Sequence, residues 1–106
     1  MIFYVYVLAA KKYKKLITYV GYTNDLKKRL NLHNTGKGAK FTRGKKWKII
    51  YTEKYFTKKE AMSREYYIKK NKKFRKLLRK NSWEYLYYFR TRKTFHQYIL
   101  VQYLYL

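Results

Sequence analysis

Apolar positions at the start of the chain fall into two short runs. Residues 2–8 are almost all β-branched or aromatic, the polar stretch Lys11-Lys12-Tyr13-Lys14-Lys15 interrupts, and residues 16–22 repeat the pattern. Two such runs around a polar turn predict an antiparallel hairpin. Tyr4 and Tyr6 alternate with Val5 and Val7, so both phenols share one face of the first strand. The spacing then changes. Thr23 or Asn24 is placed to cap a helix starting near Asp25, whose carboxylate suits a helix N-terminus. Leu26 and Leu30 form its buried stripe, and its end is expected near His33-Asn34.

Residues 35–46 hold three of the four glycines together with Lys37, Lys40, Arg43, Lys45 and Lys46, the composition of a mobile basic loop. Residues 47–56 return to a strand pattern. Thr57-Lys58-Lys59-Glu60 is a capping box, and one long helix is predicted from about residue 58 to 78. The fold class is α/β: a small three-stranded antiparallel sheet flanked by helices, closing near Asn81. Residues 82–106 form an extra C-terminal segment whose aromatic run, 95–106, reads as an added strand, a packing arm or a self-association contact.

Composition narrows the function. One domain is expected from 106 residues without proline. Twenty-eight lysines and arginines against five carboxylates leave a formal charge of +23. Self-repulsion on that scale opposes compaction unless a polyanion relieves it, and nucleic acid is the natural partner. Part of the charge has a second source, since A/T-rich codons specify Lys, Asn, Tyr, Ile and Phe. The absence of cysteine excludes disulfides, thiolate zinc sites and thiol nucleophiles. The apolar start lacks a preceding positive charge and is too short to span a bilayer, so a cytoplasmic protein without membrane association is expected.

Carboxylates this scarce can be weighed singly. Asp25 and Glu60 have capping jobs, a cross-strand ion pair accounts for Glu53, and Glu84 lies in the uncharacterised tail. Glu65 shares a helix face with Ala61 and Ile68, and an anion on a buried stripe needs a cation or metal to balance it. An i,i+4 pair with Lys69 explains it equally well. Arg29 and His33 stand one turn apart, spaced to grip a phosphate oxygen and handle a proton, or simply to face solvent. With fifteen tyrosines in the chain, packing is the default role for Tyr4 and Tyr6.

The ordered set Tyr4-Val5-Tyr6, Tyr19-Val20-Gly21, Arg29, the block from His33 to Thr42, and Arg64-Glu65 resembles the GIY-YIG nuclease superfamily, in particular its small stand-alone bacterial domains. The likeness covers about residues 2 to 80, and residues 1–81 are the expected nuclease-like domain. It departs from the motif at Tyr4, Val5 and Val20, and the tail has no counterpart. The resemblance implies phosphodiester hydrolysis by a divalent-metal-dependent DNA endonuclease, structure-selective or weakly sequence-selective, of the sort used in DNA repair or recombination. It implies that Glu65 anchors Mg²⁺ or Mn²⁺, that Arg29 neutralises charge on the phosphate, and that Tyr6 activates water as a phenolate favoured by nearby cations. Tyr19 and His33 would position water or share the proton transfer, with Gly21 keeping the strand end open. Lys37, Lys40, Arg43, Lys45 and Lys46 would hold the nucleic-acid backbone, and Asn71 or Asn81 could supply a late asparagine. The alternative is a non-catalytic DNA- or RNA-binding module on the same scaffold.

Overall fold

The computed structural model describes the backbone of residues 1–90 and side chains through Ser82. Strands β1 (Phe3–Lys12) and β2 (Lys15–Thr23) form the hairpin, turning through Tyr13 at a φ of 57°. Helix α1 (Leu26–Asn34), a short 3₁₀ turn (Lys40–Thr42) and strand β3 (Lys48–Tyr55) follow. Helices α2 (Lys58–Lys70) and α3 (Lys72–Arg90) complete the described part. All pairing is antiparallel in the order β2-β1-β3, so β1 is the central strand of the expected three-stranded sheet.

Residues 5–10 of β1 are all buried, so the strand serves two cores at once. Val5, Val7 and Ala9 pack with Val20, Ile50, Ala61, Ile68 and Leu78 beneath α2 and α3. Tyr6, Leu8 and Ala10 pack with Trp47 on the opposite face, where Leu26 and Leu30 of α1 lie. The pairing of β1 with β3 slips between Val7 and Leu8: Val7 faces Tyr51 while Leu8 faces Ile49. Ile50 is the extra residue of this bulge, which reverses the in/out alternation of everything after it. Trp47 and Ile49 therefore face α1, whereas Tyr51, Glu53 and Tyr55, of the same parity, belong to the α2 side.

That reversal gives Glu53 a role different from the cross-strand pair expected of it. Its carboxylate accepts two bonds from Arg64 of α2, at 2.8 and 3.0 Å, and one each from the Tyr51 and Tyr55 hydroxyls. Burial raises its pKa, but those four donors together outweigh burial and hold it below the ordinary carboxylate value.

Two helix features also depart from expectation. The single long helix is two, broken at Asn71 (φ −91°, ψ 86°). Asn71 closes α2 with its own N–H and opens α3 by accepting from the Phe74 N–H at 3.0 Å. A side chain that can hydrogen-bond the backbone locally competes with helix continuation. The capping box is half formed: Thr57 Oγ1 accepts from the Glu60 N–H, but its hydroxyl donates to the Glu60 carboxylate. At α1 the cap is Asp25 itself, accepting from Lys28 N–H at 3.1 Å, with Thr23 bonded to the Asp25 backbone. Helix α3 continues past Asn81, and the aromatic run at 95–106 lies outside the described residues. Among the described residues, no helix is long and apolar enough to cross a membrane.

Replacing Glu53 by Ala is expected to destabilise the domain by roughly 2 kcal/mol in urea unfolding. This is below the ~3–5 typical of a broken buried pair, since the Arg64 side chain is 35% exposed and can rehydrate. Because the Glu53 pKa is lowered on folding, its stabilisation is present above the unfolded carboxylate pKa and lost as pH falls through the folded value. The wild-type advantage over Glu53→Ala should therefore shrink below about pH 4.5.

Candidate active site

Tyr6 enters from the centre of β1, pointing to the α1 face, directly opposite Gly21 of β2. A Cβ at position 21 would collide with the Tyr6 phenol, so only glycine lets the ring lie across the neighbouring strand. The Tyr6 hydroxyl meets Nε2 of His33 at 2.9 Å. His33 closes α1 and is 1% exposed. Its other nitrogen, Nδ1, lies 2.9 Å from the hydroxyl oxygen of Thr42, which donates to the Ala39 carbonyl at 2.9 Å.

This line of contacts fixes the proton positions. A carbonyl can only accept, so the single hydroxyl hydrogen of Thr42 is committed to Ala39. Its oxygen must then accept from Nδ1–H of His33, which leaves Nε2 bare to accept from the Tyr6 O–H. Burial, and secondarily the Arg29 charge, lower the His33 pKa and keep the ring neutral. Gly38 packs so closely on the imidazole that a Cβ there would overlap Nδ1.

The loop at residues 35–46 is tied at its base and its middle. Asn34 brackets the backbone of Trp47, accepting from its N–H at 2.6 Å and donating to its carbonyl at 3.2 Å. The Trp47 indole N–H donates to the Thr42 carbonyl at 2.8 Å, and Thr42 is fully buried. Composition alone pointed to a mobile segment; these bonds instead pin its middle under the site. Lys37, Lys40, Arg43 and Lys46 remain exposed on it, and Lys45 bonds the Phe41 carbonyl.

Burial pushes the Tyr6 phenol up to about 12, with Tyr19 and Glu65 adding in the same direction. Arg29 works against the rise through a hydrogen bond and its charge but does not cancel it. This corrects the expectation of a phenolate favoured by cations: at neutral pH Tyr6 is a phenol that donates to His33. Arg29 thus acts on both Tyr6 and His33, while its exposed position leaves it open to a ligand. Tyr19 lies against His33, ring centroids 4.9 Å apart.

Glu65 has a side chain only 14% exposed, between the fully buried Ala61 and Ile68, and is paired with Lys69 at 2.6 Å. The i,i+4 pair with Lys69 is present, and on this buried stripe that lysine is the cation balancing the carboxylate. Among the described carboxylates it alone is neither a helix cap nor enclosed in the Glu53 network. No group of three His, Cys, Asp or Glu able to hold a metal occurs among the described residues. What the described residues offer a cation here is the single carboxylate of Glu65, an oxygen ligand of the kind hard cations take.

Asn71 is spent on the α2–α3 break, and among the described residues no hydrogen bond links Asn81 to the Tyr6–His33 line. Sequence reasoning missed the positioning parts: Thr42, Gly38, Asn34 and Trp47. The one signal for them was a Gly-x-Gly loop running from a histidine to a tryptophan. It also missed a cationic groove of about 660 Å³ where the hairpin turn meets α3, walled by Lys14, Lys15, Lys73, Lys76, Arg79 and Lys80.

The family model described as "GIY-YIG catalytic domain" matches residues 2–81. A UPF0213 protein of Oceanobacillus iheyensis is 47% identical over 75 residues, covering 70% of this chain and 84% of that protein. One from Clostridium perfringens is 51% identical over 75 residues, with coverages of 70% and 77%. Another, from Bacillus licheniformis, is 46% identical over 84 residues, with coverages of 78% and 77%. No solved structure gives a significant match. The first two tyrosine motifs, the arginine helix and the glutamate helix all fall inside the matched span, and the chain belongs to the GIY-YIG catalytic domain family, a nuclease superfamily, together with the small bacterial UPF0213 proteins.

Proposed function

We propose that this domain is a divalent-metal-dependent DNA endonuclease of weak sequence selectivity. The observation that carries the reading is the Tyr6–His33–Thr42 line with Arg29 acting on its first two members. A buried phenol needs an acceptor for its hydroxyl, and a neutral histidine with its tautomer fixed by Thr42 is one that can also take up the proton.

Lys37, Lys40, Arg43, Lys45 and Lys46 hold the backbone on either side of the scissile phosphate, contacts that position without reading bases. The groove between the hairpin turn and α3 offers further phosphate contacts on the far side of the sheet. Arg29 pairs with the non-bridging oxygens, where its planar guanidinium cannot lose its charge. Water aligned by Tyr19 and Tyr6 gives its proton to the Tyr6 oxygen as the phenolic proton passes to Nε2 of His33. The water oxygen bonds to phosphorus, the bond to the leaving oxygen breaks, and the imidazolium that forms stays bonded to Thr42 through Nδ1–H. Glu65 would hold Mg²⁺ or Mn²⁺, which when bound supplies polarisation of the phosphate and charge neutralisation at the leaving oxygen. Lys69, whose side chain is half exposed, can release the carboxylate for this role. A binding module without turnover is the second reading, favoured by the existing Glu65–Lys69 pair.

Labelled single-stranded, branched and duplex DNA incubated with and without Mn²⁺ separates the two. Metal-dependent products are expected from the wild type, with Glu65→Ala and Arg29→Ala each reducing the rate by roughly 10²–10³-fold. DNA binding should weaken by less than about tenfold in Arg29→Ala, one phosphate contact being lost among many, and should not weaken in Glu65→Ala, which removes an anion. Equal cleavage by wild type and both variants would remove the proposal.

The pH profile and Thr42 test the proton path. Rate should fall on acidification when His33 becomes protonated, with a midpoint below its ordinary 6.5 because its pKa is lowered. Thr42→Val frees the tautomer and should cost about tenfold in kcat, the worth of one buried hydrogen bond. Thr42→Ser should restore most of it. A Val variant as active as wild type, with the same acid limb, contradicts the path.

A further inference from the structure

One side chain of the basic loop has no place in that chemistry. The 3₁₀ turn at Lys40–Thr42 buries Thr42 completely and turns the preceding residue, Phe41, outward, leaving it 52% exposed. A phenylalanine has no polar atom to satisfy in water, so its exposure is uncompensated. The ring is nonetheless held in place. It is nearly parallel to Tyr19 (22° between planes, centroids 6.3 Å apart) and tilted on Trp47 at 6.1 Å. The Lys45 ammonium sits 5.5 Å from its centroid.

Position sets Phe41 apart from the other exposed aromatics. Tyr13 at the hairpin turn and Phe56 before α2 are more exposed but join no ring contact among the described residues, and Tyr66 and Tyr67 of α2 have cations over their rings but no ring contact with Tyr19 or His33. Phe41 touches Tyr19, and Tyr19 lies 4.9 Å from His33, so one ring separates it from the proton acceptor. Exposed Lys37, Lys40, Arg43 and Lys46 flank it along the same loop. An aromatic face among cations is the arrangement that binds a single strand, the cations taking phosphates and the ring stacking on a base. In a continuous duplex both faces of each base are covered by their neighbours, and a side-chain ring reaches them only at the cost of unstacking a step.

We propose that Phe41 is a stacking platform for an unpaired nucleobase of single-stranded DNA beside the scissile phosphate. The substrate class is then DNA with an unpaired segment at the cut, such as a flap, fork or single strand, in preference to continuous duplex. The proposal rests on the nuclease reading for the word "scissile", but the stacking itself is measurable without catalysis.

The test uses the full chain with a metal chelator present, so that no strand is cut. A deoxyoligonucleotide carrying 2-aminopurine at its centre reports stacking by quenched fluorescence. Wild type should quench the probe and bind it about tenfold more tightly than Phe41→Ala does, at fixed salt near about 0.2 M. Phe41→Trp should restore both signals, and a blunt duplex of equal length should bind all variants within about twofold. Phe41→Leu retains apolar packing if the alanine variant fails to fold, and should also lose the quench. Unchanged quenching and affinity in Phe41→Leu or Phe41→Ala would overturn the platform. Quenching that depends on Phe41 in a protein that cuts nothing with Mn²⁺ would sink the nuclease reading and leave the platform standing. Cleavage indifferent to Phe41 would do the reverse.

Discussion

A central strand buried on both faces is the constraint on which this domain is built. Residues 5–10 of β1 have no solvent side, so every alternate position must be answered by a separate core. The odd positions meet α2 and α3 and carry the apolar bulk of the fold. The even positions meet α1 and the loop, and there Tyr6 replaces an aliphatic residue. A phenol placed in a core needs a partner for its hydroxyl, and every further element of the site supplies or secures that partner. His33 accepts, Thr42 fixes His33, Trp47 and Asn34 fix Thr42, and the glycines at 21 and 38 make room.

Charge follows a complementary logic. Cations are so abundant that any surface is positive, and it is the placement of the rare carboxylates that carries information. Asp25 and Glu60 sit at helix starts, Glu53 is enclosed by Arg64, Tyr51 and Tyr55, and Glu65 is held by a lysine that is itself half in water. Arg64 and Glu65 are neighbours in sequence. The clamp on Arg64 therefore also sets the height and rotation of α2 at the position of Glu65.

Local pattern was enough to read the hairpin, the α1 stripe of Leu26 and Leu30, the third strand and the three-stranded antiparallel class, because each depends on periodicity within a few residues. It failed where one residue changes the period. Asn71 interrupts an otherwise unbroken helical stretch through its own side-chain bond to Phe74, and nothing in apolar spacing marks that. The bulge at Ile50 is invisible to alternation, so the partner of Glu53 could not be found from its own strand. At the site, the sequence singled out Tyr6, Tyr19, Arg29, His33 and Glu65, but not the state of the phenol. That state depends on how completely neighbours exclude water, which is a property of the folded packing.

The bulge at Ile50 decides which side chains of β3 reach which core. Were the same chain paired with β1 without the bulge, Ile50 would stand opposite Val7 and Tyr51 opposite Tyr6, turning Tyr51, Glu53 and Tyr55 over to the α1 side. A carboxylate would then arrive beside the phenol and imidazole, and the guanidinium of Arg64 would be left without its counter-charge. The loop at 35–46 can vary in its exposed cations without touching either core, whereas a one-residue slip of β3 past β1 would exchange the scaffold of this protein for its reaction chamber.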